Sequence, residues 1–287
     1  MAYLRPALTR KNLKLQTRSL VTHVMFEGPA GAPRAVGVEV AHGGQLQQLR
    51  ATREVILSGG AINSPQLLQL SGIGNPDELK ALGIAVTAPL KGVGENLQDH
   101  LQIRAVFKVQ GVQTLNTLAN SLWGKAKIGL EYALKQSGPM SMAPSQLGAF
   151  TRSSPDKPYP NIEYHVQPLS LDAFGEPLHN FDAFTASVCN LNPASRGSVH
   201  IKSNQFTDAP AIAPNYLSTA QDRQVAADSL RITRNIVSQS ALAKYQPEEF
   251  KPGVQYQTDE ELTKLAGDIA TTIFHPVGTA KMGLRQD

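Results

Sequence analysis

Cysteine is nearly absent from this chain: Cys189 is the single one in 287 residues. That excludes an internal disulfide and any cysteine-rich metal cluster. Tryptophan is equally scarce, with Trp123 alone. No run approaches the roughly 18 to 20 consecutive apolar residues that span a bilayer. The N-terminal stretch, with Arg5, Arg10, Lys11, Lys14 and Arg18, has no apolar core of signal-peptide length. Charge of one sign is not concentrated, because 27 Lys and Arg are interleaved with 23 Asp and Glu, a pattern that argues against nucleic-acid binding. GxGxxG, P-loop, HExxH and GxSxG motifs are all missing. Gly92-Val93-Gly94 lacks both the third glycine and the helix context. The seven histidines show no metal-site spacing. These absences predict a soluble, cytoplasmic protein with no metal and no nucleic-acid partner, peripheral attachment to a membrane being the other option.

What is present suits a large turn-rich globular protein: 41% hydrophobic residues, 23 Gly and 19 Pro. Partial alternation over 12–26, Val36, Val38 and Val40 at period two, a His42-Gly43-Gly44 turn and a returning 45–52 predict a small antiparallel meander. In Arg53–Gly60 the run Val55-Ile56-Leu57 has the pattern of a strand covered on both faces. A helix then follows, with Asn63 or Ser64 as its cap and Pro65 in its first turn. A second short helix opens at Asn75-Pro76 and stops at Gly83. Beyond Leu90, strands over 101–109, 160–168, 181–191 and 198–203 predict an antiparallel sheet. In one of them Ile162, Tyr164 and Val166 form a packed face, and Glu163, His165 and Gln167 form a face able to line a cavity. Helices are expected at about 121–137 and 219–240, and from Thr258, whose Glu261 completes a capping box.

One stretch is more specific. Residues 60–74, Gly-Ala-Ile-Asn-Ser-Pro-Gln-Leu-Leu-Gln-Leu-Ser-Gly-Ile-Gly, resemble the second signature of the glucose-methanol-choline (GMC) oxidoreductases. Further stretches are similar to the same family in the same order: 2–8, 93–100 (Val-Gly-Glu-Asn-Leu-Gln-Asp-His), 195–199, Asn215-Tyr216-Leu217 and His275-Pro276-Val277-Gly278-Thr279. The resemblance implies an α/β (α+β) flavoprotein fold with part of the FAD-binding domain over 1–90. A substrate domain over 91–192 and the start of a C-terminal region over 193–287 would follow. It also implies that the family's glycine-rich FAD-binding βαβ unit and its second catalytic His or Asn fall outside these residues, so the chain reads as an internal fragment.

By the same resemblance His275 is the catalytic histidine beside the flavin. A neutral imidazole, with a reference pKa of about 6.5, is suited to take a hydroxyl proton while hydride leaves the alcohol carbon. For an arbitrary histidine a surface or packing role is the commoner fate; motif context reverses that here. Val21 aligns with a position contacting the FAD adenine, and Ser58, Gly59 and Gly60 end a segment along the adenosine, where glycine permits close backbone approach. Phe274 and His165 are candidates for the substrate cavity. The implied reaction is FAD-dependent oxidation of a primary alcohol to an aldehyde, with electrons passed to a quinone or other carrier. Choline is the specific alternative substrate and would need an anionic or aromatic cage. A remnant that binds no flavin is the alternative of another class.

Overall fold

The computed structural model describes residues 3–29, 32–143, 145–173 and 175–283. Ala2, the first residue of the opening motif, lies outside them. Two compact units interleave along the sequence: Met1–Leu97, Gly197–Pro214 and Pro276–Asp287 form one, and Gln98–Arg196 with Asn215–His275 form the other.

The first unit opens with a short helix, α1 (Leu4–Ala7), and the expected meander, β1 (Ser19–Glu27), β2 (Arg34–His42) and β3 (Gln45–Arg50), in the order β1-β2-β3. Helix α2 (Gly60–Leu70) follows, then β4 (Ile73–Gly74), α3 (Pro76–Ala81) and β5 (Ala88–Pro89), with β4 and β5 parallel. In α3 the side chain of Asn75 accepts the Asp77 N–H, and Asp77 and Glu78 occupy the first turn, where carboxylates complement the helix dipole. Ser71 ties the meander to α2: its hydroxyl accepts the Val24 N–H at 2.8 Å and donates to Leu67 O at 2.6 Å.

Two expectations fail in this unit. Residues 53–59 form no strand, and Ile56 is 75% exposed. An apolar run satisfies its backbone as a buried strand only beside another strand, and among the described residues none pairs with it. The cap of α2 is Gly59, not Asn63 or Ser64, because the Ser64 hydroxyl turns back to accept the Gly59 N–H at 3.0 Å. Gly60 starts the helix at φ +73°, a conformation that favours glycine. Pro65 therefore falls inside the helix, where it has no N–H for the Ala61 carbonyl. Thr279, 1% exposed, supplies the missing donor: its hydroxyl bonds Ala61 O at 2.6 Å. Two separate motifs thus meet in one hydrogen bond. The substitution Thr279→Val keeps the shape and strands a carbonyl, so it is expected to cost about 1–3 kcal/mol, read as a lower urea midpoint.

The second unit begins with β6 (Leu101–Lys108), α4 (Leu115–Asn120), α5 (Leu122–Lys135), β7 (Leu147–Thr151), β8 (Ile162–Gln167) and β9 (Ala183–Asn190). The chain then contributes β10 (Ser198–His200) and β11 (Ala211–Ala213), an antiparallel pair, to the first unit. There the Gln69 amide bonds Val199 O and the Ile201 N–H. At Gly94, φ +91°, a Cβ would meet Val199 O at 2.4 Å. The second unit is completed by α6 (Ala220–Val237), α7 (Ser240–Ala243), β12 (Glu248–Lys251), α8 (Asp259–Ile269) and β13 (Ala270–Thr272). Thr258 and Glu261 form the expected capping box at α8.

Its sheet runs β12-β6-β9-β8-β7, with β13 also on β6. The register sorts the two faces. Ile103, Ala105, Phe107, Ile162, Tyr164, Ala186 and Val188 pack against Val225, Leu230 and Leu262 of α6 and α8. The other face carries Gln102 and Arg104 opposite Cys189 and Ser187, which lie opposite Glu163 and His165. Burying so many polar groups on one face is costly unless they serve a site.

Within the core the Tyr164 hydroxyl bonds Thr233 Oγ1 at 2.9 Å, and burial pushes its phenol up to about 12. The unfolded chain releases this proton near pH 10. The contribution is therefore full below that pH and is lost as pH rises towards 12. Stability read by urea midpoint should fall over that window, and Tyr164→Phe should flatten the fall.

Candidate active site

His275 stands just beyond β13, on a turn fixed by a buried carboxylate. Asp99, 8% exposed, accepts the His275 backbone N–H on Oδ1 at 3.0 Å. Its Oδ2 accepts the Thr272 hydroxyl at 2.5 Å and the Tyr216 hydroxyl. Thr272 Oγ1 in turn accepts the Phe274 N–H at 2.8 Å. Phe274 sits at φ +63°, an uncommon conformation for a bulky residue, and this network holds it there. Burial first, and then Asp99, push the Tyr216 phenol well above its ordinary range. Tyr216 therefore stays a donor.

The histidine ring has His100 as a ring neighbour. His100 and His275 meet edge to face with centroids 5.5 Å apart, and their Nδ1 atoms are 3.4 Å apart. His100 Nε2 lies 3.3 Å from Leu191 O. A carbonyl only accepts, so that nitrogen carries the proton. In the neutral ring Nδ1 of His100 is then an acceptor. His275 must donate from its own Nδ1, which leaves its Nε2 a lone pair. The fold thus sets the tautomer a base requires.

His100 also approaches Glu163 and Cys189 on the polar sheet face, their potential ligand atoms lying within 4.8 Å of one another. No sequence spacing announced this grouping. Burial, then Glu163, push the Cys189 thiol up to about 12. A protonated thiol is neither a nucleophile nor a ready metal ligand, and both nitrogens of His100 are already engaged. His165 lies in the same face, with Nε2 3.4 Å from Glu163 Oε1. The hydroxyl of Ser187, its register partner, is buried without a hydrogen-bond partner among the described residues.

The proposed cofactor residues converge elsewhere. A pocket of about 320 Å³ in the first unit is lined by Val21, Ser58, Gly59, Asn63, Leu67 and Phe206, among others. Gly60 adjoins it in the chain, and a Cβ there would meet only open space. Apolar walls with a few polar atoms are the usual lining of a small-molecule site. The residues present therefore fit the planar base and ribose of an adenosine. Sequence reasoning missed Asp99, Tyr216, Thr272 and the part played by His100. The signal available was that Asp99, His100 and Tyr216 lie in quoted motifs.

The mixed fold of helices and antiparallel sheets is that of the flavoprotein oxidases among its structural neighbours. The chain belongs to the GMC oxidoreductase family: the family's N-terminal part matches residues 1–102 and its C-terminal part residues 193–287. It is 43% identical over 286 residues to the human mitochondrial choline dehydrogenase, covering 100% of this chain and 47% of that protein. It is 42% identical to an oxygen-dependent choline dehydrogenase of Citrobacter koseri, covering 98% and 50%. Among solved structures, pyridoxine 4-oxidase from Mesorbium loti is similar with a TM-score of 0.80 at 26% identity, over 98% of this chain and 50% of that one. The chain spans about half the length of the curated relatives it matches. No helix among the described residues is long and apolar enough to cross a membrane.

Proposed function

We propose that this chain serves the FAD-dependent oxidation of a primary alcohol to an aldehyde, with His275 as the base. The observation that carries the reading is the hydrogen-bonded chain from Leu191 O through His100 to His275, which leaves Nε2 of His275 free to accept a proton. FAD, when bound, would supply the hydride acceptor. Val21, Ser58, Gly59 and Gly60 would hold its adenosine part. His275 takes the alcohol proton on Nε2 and, once charged, keeps its donor contact to His100 through Nδ1. Phe274 borders the alcohol, and His165 with the unsatisfied Ser187 hydroxyl gives the polar face groups to orient it. Residues 1–90 belong to the FAD-binding part, 91–192 to the substrate part and 193–287 to the C-terminal region. The electrons leave to a quinone or another carrier.

Choline is a second reading, favoured by the identity to choline dehydrogenases. Against it, the Glu163 carboxylate on the polar face faces His165, and the Arg104 guanidinium brings a cation to the same face. Trp123, on α5, is 87% exposed. The neutral primary alcohol is therefore preferred, and the ratio of kcat/KM for the two substrates decides between them.

The whole protein to which this chain belongs, loaded with FAD, is expected to keep a flavin absorbance band through gel filtration, and the band should bleach anaerobically with a primary alcohol. Retention without bleaching overturns the substrate class. A colourless protein overturns the reading in favour of a chain that engages no flavin.

A further inference from the structure

Gly148 has no backbone or packing reason to be a glycine. It lies inside β7, where a residue without a side chain weakens the strand and marks a bulge, a bend, or the close approach of a ligand or another backbone. The register of β7 on β8 runs without a shift from Leu147↔Val166 to Thr151↔Ile162, so there is no bulge. Gly148 does not have a positive φ. A Cβ there would meet only Tyr164 O, at 3.5 Å, an ordinary contact. Close approach is the reason that remains.

Its place on the sheet points to what approaches. Gly148 stands opposite His165, which stands opposite Ser187, which stands opposite Arg104. Directly opposed residues share a face, so the gap opens on the polar face. It lies in the row of the buried Ser187 hydroxyl, which has no partner among the described residues. About 7 Å away, one repeat along the strands, runs the row Gln102, Cys189, Glu163 and Phe150. His100, the ring neighbour of His275, approaches that row at Glu163 and Cys189. Phe150 is 63% exposed, and β7 ends the sheet. A molecule whose hydroxyl reaches His275 and which extends across these rows leaves the sheet over Gly148, with Phe150 beside it.

We propose that Gly148 is a specificity-determining position, the opening through which the unbranched apolar chain of a primary alcohol passes. The inference rests on the reaction proposed above for the hydroxyl end. The strand at the opening, Leu-Gly-Ala-Phe-Thr, carries no charge to hold a polar tail, and Phe150 gives the passage an apolar side. An opening one side chain wide suits a single file of methylenes.

The whole protein to which this chain belongs, loaded with FAD, is assayed with 1-propanol and 1-octanol. Gly148→Leu fills the opening. Each methylene kept out of an apolar site costs about four-fold in affinity, so excluding three should lower kcat/KM for 1-octanol about 60-fold. The value for 1-propanol should stay within about two-fold, since less than one methylene is displaced, with FAD retained. Gly148→Ala should move the same ratio by about one methylene's worth, four-fold, and decides the matter if the leucine variant does not fold. Octanamide and propanamide keep the chain and have no carbinol hydride to give, so their binding, read on the flavin absorbance band, is independent of turnover. Only octanamide should weaken in Gly148→Leu. A native protein that oxidises neither alcohol but shows this discrimination between amides overturns the reaction and upholds the passage. Equal effects on long and short ligands, or none on either, overturn the passage. So does loss of FAD from Gly148→Leu, which assigns the gap to another part of the protein.

Discussion

Replacing His275 with glutamine is expected to slow alcohol-driven reduction of bound flavin by about 10² to 10⁴-fold, the usual contribution of a positioned general base. Its binding of FAD should be unchanged. The backbone N–H that Asp99 holds survives the substitution, so the turn persists while the proton acceptor is lost. The tautomer can be read without any turnover: ¹⁵N spectra should show the proton of neutral His275 on Nδ1 and that of neutral His100 on Nε2. The Nδ1–H form is the less common one for a free imidazole, so its appearance reports the contact with His100. A fully active His275→Gln protein, or a His275 protonated on Nε2, would remove this residue from the base role.

How much of this arrangement could be read from the sequence depends on the reach of each interaction. Signals that act within a turn were legible: Thr258 with Glu261 at α8, Asn75-Pro76 at α3, and the two-residue alternation of β8 all fold as written. The motifs gave the family and marked His275. What failed needed a partner. Val55-Ile56-Leu57 is patterned as a buried strand, but a strand exists only by pairing, and composition alone cannot supply its neighbour. The start of α2 was misread because a serine hydroxyl can cap forward or turn back, and Ser64 turns back to Gly59. The clamp at Asp99 was invisible for a third reason, since its partners Tyr216 and His275 stand 117 and 176 residues away. Neither propensity nor periodicity carries information over such separations.

That distance makes Asp99 the most consequential residue of the site after His275. Asp99→Ala would leave the Tyr216 hydroxyl, the Thr272 hydroxyl and the His275 N–H without their common acceptor. A stranded buried donor costs about 1–3 kcal/mol, and with Tyr216 and Thr272 half-buried and His275 exposed a total loss of about that size is expected, measured as a shift of the urea midpoint. Asp99→Asn separates geometry from charge. Its carbonyl still accepts the His275 N–H, but the amide nitrogen facing Tyr216 forces that hydroxyl to reverse from donor to acceptor. With the carboxylate gone, one of the two influences holding the Tyr216 phenol up disappears. Its ionisation, followed by ultraviolet absorbance, should move down towards the ordinary value near 10, while burial keeps it above. The turn that carries His275 also loses the carboxylate at its backbone N–H, so turnover should fall further in Asp99→Asn than the midpoint shift alone accounts for. If Asp99→Asn lowers stability and leaves both the phenol ionisation and the turnover of the remaining folded protein untouched, Asp99 is a structural clamp with no electrostatic part in the reaction.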